Sequence, residues 1–336
     1  MRKPDYTQLL KVLNKQVPDR PTLFEFFLNE PLYDYLDKGE APQLNDEYDN
    51  MRRQIFAYKN AGYDYYTMMP SKFAFPQKKK ERVSTISLND ADSIADWDSY
   101  EAYKWPDPES FDNETSIKKA AEVMPEGMKL IVYGPGGVLE NVLALVGYDN
   151  LCIMMFEEAE LTQKIFDDVG SRLVAYYEQF IESEHVCALI SNDDWGFKTQ
   201  TMLSPADMRK YVFPWHKKIV QVAHRHNKPA FLHSCGQLEK VMEDVIEDMK
   251  FDGKHSFEDT IFPIEDAYEK YKGRIALLGG IDVDFVCRAS PEAVAARSKA
   301  MLERASKDGG YALGTGNSVP EYVPRDAYLA MVKSVC

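Results

Sequence analysis

A chain of 336 residues with 45% hydrophobic content can bury a large core, as one large α/β domain or two smaller ones. Its formal net charge of −14 argues against a polyanionic partner, because nucleic-acid affinity comes largely from clustered Lys and Arg. The one basic run, Lys78-Lys79-Lys80-Glu81-Arg82, reads as a solvated loop.

No stretch approaches the roughly 18 uncharged apolar residues of a membrane helix, and Met1-Arg-Lys-Pro-Asp-Tyr6 lacks the apolar core of a secretion signal. Five cysteines at positions 152, 187, 235, 287 and 336 show no regular spacing and no CxxC, which fits a reducing cytoplasm.

The chain opens with a short helix, Tyr6 to Asn14, and a turn, Pro18-Asp19-Arg20-Pro21. Thr22 to Asn29 then reads as a first strand, apolar and aromatic apart from Glu25, a carboxylate that is costly to bury unless partnered. A helical region ends near Gly62, a good C-terminal stop. A second strand, Tyr63 to Met69, is closed by Pro70. From Ser71 to about Gly127 the pattern loosens. It holds hairpin-like residues from Arg82 to Leu88, then Trp97, Trp105, Pro106 and Pro108, then a helix at Ser116 to Val123. Strand-to-helix loops usually take about 2–6 residues, so 71–127 reads as an insertion able to cover an active-site mouth.

Lys129 to Tyr133 gives a third strand, ended by Gly134-Pro135-Gly136-Gly137, with helices at Val138 to Val146 and Glu158 to Glu182. Val186 to Ser191 is a fourth strand, ending in Asn192-Asp193-Asp194-Trp195-Gly196. Ser204-Pro205-Ala206-Asp207 caps a helix that Pro214 must bend or split before Asn227. The fifth strand is Ala230-Phe231-Leu232, after which the chemistry changes abruptly to His233-Ser234-Cys235-Gly236. Leu238, Val241, Met242, Val245, Ile246 and Met249 follow at helical spacing. Phe251 to Ser256, Arg274 to Gly279 and Gly310 to Gly314 complete eight strands, before a last helix from Arg325 to Val335. Strands alternating with helices over this length predict an α/β TIM (β/α)8 barrel with an N-terminal helical extension and an insertion after the second strand. A doubly wound sheet is the alternative, but no Gly-x-Gly-x-x-Gly follows the first strand.

In an extended chain, residues two apart point to one side. His233 and Cys235 can therefore aim a nitrogen and a sulfur at one point. That is half of a tetrahedral zinc site, with bonds of about 2.0–2.1 Å to nitrogen and 2.3 Å to sulfur. The alternative is a small buried thiol beside a hydrogen-bonded histidine. Barrel active sites gather at the C-terminal ends of the strands. Those ends carry Glu25 and Asn29, Gly134 to Gly137, Asp193 and Asp194, His233 and Cys235, His255 and Glu258, Asp282 and Asp284, and Gly314-Thr315-Gly316-Asn317-Ser318. Asp194, His255 and Glu258 are the candidate catalytic groups. Glu25, Asn29, Trp195 and Asn317 are the candidates for substrate contact. Asp193 and Asp194 point to opposite sides if extended, so one faces the cavity and the other caps a turn.

Asn192-Asp-Asp-Trp-Gly, Phe231-Leu-His-Ser-Cys-Gly, Leu278-Gly-Gly-Ile-Asp282 and Gly314-Thr-Gly-Asn-Ser-Val-Pro320 together resemble the uroporphyrinogen decarboxylase superfamily. The resemblance runs from about Pro18 to Met331, nearly the whole chain, which reads as a single barrel domain. It is closer to the corrinoid-dependent methyltransferases than to the decarboxylases. The decarboxylases' arginine-rich N-terminal signature has no match here, and where their catalytic aspartate follows the second strand this chain has Met68-Met69-Pro70-Ser71.

The resemblance implies a TIM barrel. It also implies a zinc ion held by His-x-Cys and a further cysteine, and methyl exchange between a thiol or other small molecule and methylcobalamin, the corrinoid being presented by a partner protein. A tetrapyrrole decarboxylase of the uroporphyrinogen decarboxylase type is the runner-up, and a non-catalytic corrinoid- or tetrapyrrole-binding barrel is the other alternative. The family's third cysteine falls on Asn317, a poor zinc ligand. Cys287 can supply the missing thiolate, or it is a small buried residue on the first turn of a helix. Glu258 and His255 are the other candidates, each also readable as a partner that fixes the tautomer of His233.

Overall fold

The structure, a computed structural model, describes residues 2–77 and 93–335. The basic run Lys78 to Arg82 and the hairpin-like residues Arg82 to Leu88 lie outside the described residues.

Seven short apolar segments become strands because their side chains are buried on both faces, the condition of a parallel sheet covered by helices. They are β1 (Tyr65–Met68), β2 (Lys129–Tyr133), β3 (Val186–Asn192), β4 (Ala230–His233), β5 (Gly253–His255), β6 (Ala276–Leu278) and β7 (Tyr311–Ala312). All pair in parallel and in chain order, β1 to β7. The register brings three strand ends together. Asn192 lies opposite His233, and His233 opposite His255, so β3, β4 and β5 end level with one another.

The eighth expected strand, Thr22 to Asn29, is a single parallel bridge between Leu23 and Leu313, just past β7. On its other side the segment meets β1 through side chains. The Tyr65 hydroxyl accepts from the Glu25 amide at 2.7 Å and donates to the Glu25 carbonyl at 2.9 Å. The hydroxyls of Thr67 and Tyr58 reach the Phe26 carbonyl. A tyrosine thus occupies the backbone groups that a ladder would have used. The segment stands between β7 and β1, so of the eight strands expected the sheet has seven, curled and all parallel in the manner of a TIM-like fold.

The N-terminal helix, Tyr6–Leu13, buries Leu9, Val12 and Leu13 completely beneath the N-terminal ends of the strands. Tyr6 donates to the Gly127 carbonyl at 2.8 Å, and Gly310 donates to Gln16 at 3.3 Å. The Leu13 side chain fills the space a Cβ on Gly253 would need, 2.9 Å away. The barrel is plugged at that end, which leaves the C-terminal ends of the strands as its mouth.

Other expectations shift in detail. The helix around Pro214 is split as predicted, into Pro205–Asp207, a π-helical turn Met208–Val212 and Phe213–Arg225. After β4 the periodic apolar residues are all buried, but on a 3-10 turn, Glu239–Val241, and a π turn, Asp244–Asp248. Tyr148–Glu157 is an additional helix, set off from Val138–Val146 by a 94° bend at Gly147, which takes a positive φ of 83°. Within the expected insertion lie the helices Trp97–Ala102 and Thr115–Val123. Among the described residues no single helix is long and apolar enough to cross a membrane.

Candidate metal centre

Strand β4 ends on His233, and the next three residues are held rigidly. The Ser234 amide donates to the His255 carbonyl at 2.8 Å, and its hydroxyl accepts from the Trp195 amide at 3.2 Å. Gly236 takes φ +87°, and a Cβ there would sit 2.2 Å from the Gly196 carbonyl oxygen, so the turn admits only glycine. Cys235 donates its amide to Asp194 Oδ1 at 3.2 Å. The outcome is one cluster: a ring nitrogen of His233, the sulfur of Cys235 and a carboxylate oxygen of Asp194 all lie within 4.8 Å of one another.

Burial among the strand ends pushes the His233 imidazole down to about 3, with the Lys254 charge adding to it. The ring is therefore neutral near pH 7. His233 Nδ1 lies 2.8 Å from His255 Nδ1, and the Phe26 ring packs beside it, tilted by 53° with ring centroids 4.6 Å apart. Burial pushes the Cys235 thiol up to about 11, and the Asp194 charge reinforces this. Two groups address that sulfur: Asn317 Nδ2 donates to it from 3.3 Å, and Ser256 Oγ lies at 3.4 Å.

The neighbouring aspartates diverge, and Asp193 turns away from the cluster. Its carboxyl group accepts from the amides of Leu139 and Glu140 at 2.9 Å each, at the start of the helix Val138–Val146, and lies 2.8 Å from His216 Nε2. Gly137 makes this possible, because a Cβ there would stand 2.1 Å from the Asp193 Cβ.

Several sequence assignments are corrected by these contacts. Cys287 does not join His233 and Cys235. It stands in the helix Val283–Arg288 after β6 and lines a broad cavity of about 1100 Å³, while Asp194 takes the third place in the cluster. Glu258 lines the same cavity, also outside the cluster. Trp195 is wholly buried, its ring packed on Phe213 and His216, so it is core and not cavity wall. Glu25 is fully buried with both carboxyl oxygens on Thr315, each at 2.7 Å. Asn29 caps the helix Glu30–Asp37 by accepting from the Leu32 amide, and its Nδ2 donates to the Pro320 carbonyl. Of the four residues assigned to substrate contact, only Asn317 lines the cavity.

Two titratable groups near the cluster carry no sequence signal. Lys254 on β5 is buried, and burial pushes its amine down to about 8. It donates to the Ser256 carbonyl at 2.5 Å and lies 4.2 Å from the centre of the Phe257 ring. Glu140 is pushed up to about 8, by burial first and then by the Asp193 and Asp194 charges.

The donor set fits zinc. Imidazole nitrogen, thiolate and carboxylate are all zinc ligands, and three protein ligands leave the fourth position of a catalytic site. A neutral His233 needs no deprotonation, whereas the Cys235 thiol must release one proton to bind. The apparent zinc affinity is accordingly expected to rise about tenfold per pH unit between roughly pH 5 and 9, below the thiol's value of about 11. The histidine adds no second proton, because its own transition lies near 3. Competition titration against a chromophoric chelator at several pH values measures this slope. A slope of two would show that His233 also gives up a proton.

The profile of the family described as uroporphyrinogen decarboxylase (URO-D) matches residues 87–336. No curated protein matches the chain. Among solved structures, a methyltransferase from Methanosarcina mazei superposes with a TM-score of 0.71 at 16% identity, covering 99% of this chain and 98% of its own. That likeness shows a common fold. A putative vitamin-B12 independent methionine synthase from Listeria monocytogenes aligns at 12% identity over 100% and 98% of the two chains, with a TM-score of 0.46.

Proposed function

This chain belongs to the uroporphyrinogen decarboxylase family, and from that premise we propose that it is a zinc-dependent methyltransferase, moving a methyl group between a corrinoid and a thiol or another small donor or acceptor. The observation that carries the reading is the meeting of His233, Cys235 and Asp194 ligand atoms within 4.8 Å at the mouth of the barrel. These three residues would hold the ion. Zinc bound there would supply Lewis acidity, lowering the pKa of a substrate thiol so that it reacts as thiolate. Asn317 and Ser256 orient the Cys235 sulfur, and His255 orients the His233 ring.

The cavity's charge separates this reading from decarboxylation of a tetrapyrrole. Glu258, Asp259, Asp282 and Asp284 line it with Lys198 and Arg288; Arg288 is paired with Asp284 and Arg297 with Asp259, each at 2.7 Å, which leaves Glu258 and Asp282 beside Lys198. A substrate bearing several carboxylates would find no unpaired arginine among these lining residues to give the bidentate contacts it needs. Phe27 and Tyr322, exposed by 43% and 73%, stand at the cavity and offer apolar surface to a corrin ring presented by a partner corrinoid protein. The methyltransferase fold of the Methanosarcina structure agrees with this assignment.

The test is spectral. Zinc-loaded protein should convert methylcobalamin to its demethylated form in the presence of one member of a panel of thiols, folate, methoxylated aromatics and methylated amines. Freshly purified protein without metal, and no conversion with any member, would leave a barrel that binds without turnover.

A further inference from the structure

A histidine holds a metal through whichever ring nitrogen lacks hydrogen, and its other nitrogen is usually fixed by a hydrogen bond. In this chain the second bond leads through three more residues. The Thr315 carbonyl oxygen can only accept, and it lies 3.2 Å from His255 Nε2; that nitrogen therefore carries the hydrogen. A neutral imidazole has one, so His255 Nδ1 is left as an acceptor. Its neighbour at 2.8 Å, His233 Nδ1, must then be the donor. The hydrogen of His233 is on Nδ1, and Nε2 is left with its lone pair.

The anchor of this sequence is itself clamped. The Thr315 amide donates to Glu25 Oε1 at 2.7 Å, its hydroxyl lies 2.7 Å from Glu25 Oε2, and its carbonyl takes a second bond from the Gly280 amide at 2.9 Å. Glu25, His255 and Thr315 are all fully or nearly fully buried, so water does not compete for these bonds. Gly279 keeps the space open. A Cβ at that position would lie 2.2 Å from the Thr315 oxygen and 3.0 Å from His255 Nε2.

We propose that His255, Thr315, Glu25 and Gly279 form a positioning chain that sets the hydrogen of His233 on Nδ1 and presents Nε2 to the metal. The inference rests on the zinc reading above, but its central statement concerns the metal-free protein and is measured there. With only six histidines in the chain, long-range 15N–1H correlation spectra of 15N-histidine protein resolve the tautomers directly. His233 should carry its hydrogen on Nδ1 and His255 on Nε2.

Replacing His255 tests the coupling. His255→Phe removes the acceptor and should weaken zinc binding about 10–100-fold. His255→Gln should restore most of it, since one amide side chain both accepts from His233 and donates to Thr315. A His233 protonated on Nε2 in the metal-free wild type overturns the inference, as does a His255→Phe protein that holds zinc as tightly as wild type. Wild-type protein that shows both assigned tautomers but takes up no zinc sinks the metal reading and, with it, the purpose assigned to the chain. The tautomer spectra tell that failure from the first two.

Discussion

Cys235→Ser protein is expected to fold normally and to retain no zinc after desalting. Serine keeps the size of the side chain and its place between Asn317 and Ser256, which lie 3.3 and 3.4 Å from the sulfur, so packing is little disturbed. The loss falls on the metal. Structural zinc sites with four protein ligands are worth about 10–16 kcal/mol in all, so a single ligand carries roughly 3–4 kcal/mol, on the order of 100–1,000-fold in affinity, and the loss of one of only three protein ligands here is at least of that order. Elemental analysis beside far-UV circular dichroism measures both halves. Undiminished zinc in the variant would remove Cys235 from the centre.

The second large effect is on stability. Asp193→Ala is expected to destabilise the fold by about 3–5 kcal/mol, read from urea unfolding with the slope unchanged. The carboxyl group accepts from the amides of Leu139 and Glu140 in the first turn of the helix, where no intrahelical carbonyl is available to them, and it also faces His216 Nε2. Truncation leaves these groups buried and unpaired, and an unsatisfied buried donor costs far more than a hydrogen bond contributes. The zinc content of this variant, measured where it is still folded, asks a different question from Cys235→Ser. Asp193 holds the backbone from which Asp194 reaches the cluster, without offering an atom to it. A loss under 1 kcal/mol would mean that water reaches the helix start and replaces the side chain.

How much of the fold and site is legible in the sequence depends on the range of each physical signal. The strands are legible because burial on both faces demands unbroken apolar runs, as in Leu130-Ile131-Val132 and Ala230-Phe231-Leu232. His233 and Cys235 are legible as a pair because alternation along one strand is local. The divergence of Asp193 and Asp194 is local for the same reason. The third member of the cluster is not, since Asp194 reaches it from the adjacent strand, and its place depends on the register of β3 with β4. Cys287 is attractive on chemistry alone, but nothing in sequence fixes where a residue on the helix after β6 stands relative to β4. Asn29 carries a legible signal for a role other than substrate contact: Asn29-Glu30-Pro31 has the pattern of a helix start, with an asparagine cap and proline in the first turn. Glu140 and Lys254 look like ordinary residues of a helix and a strand. Their shifted proton affinities arise from burial, which no residue carries in its own identity.

The joint between β1 and the Glu25–Phe26 stretch bears on how this ring moves. Elsewhere neighbouring strands are riveted by rows of amide bonds, whereas here, among the described residues, hydroxyl groups of Tyr65, Thr67 and Tyr58 serve as the staples. A hoop fastened this way yields first at its staples. The side-chain joint, and the single bridge Leu23–Leu313 on the segment's other side, are therefore where hydrogen exchange of the sheet is expected to be fastest.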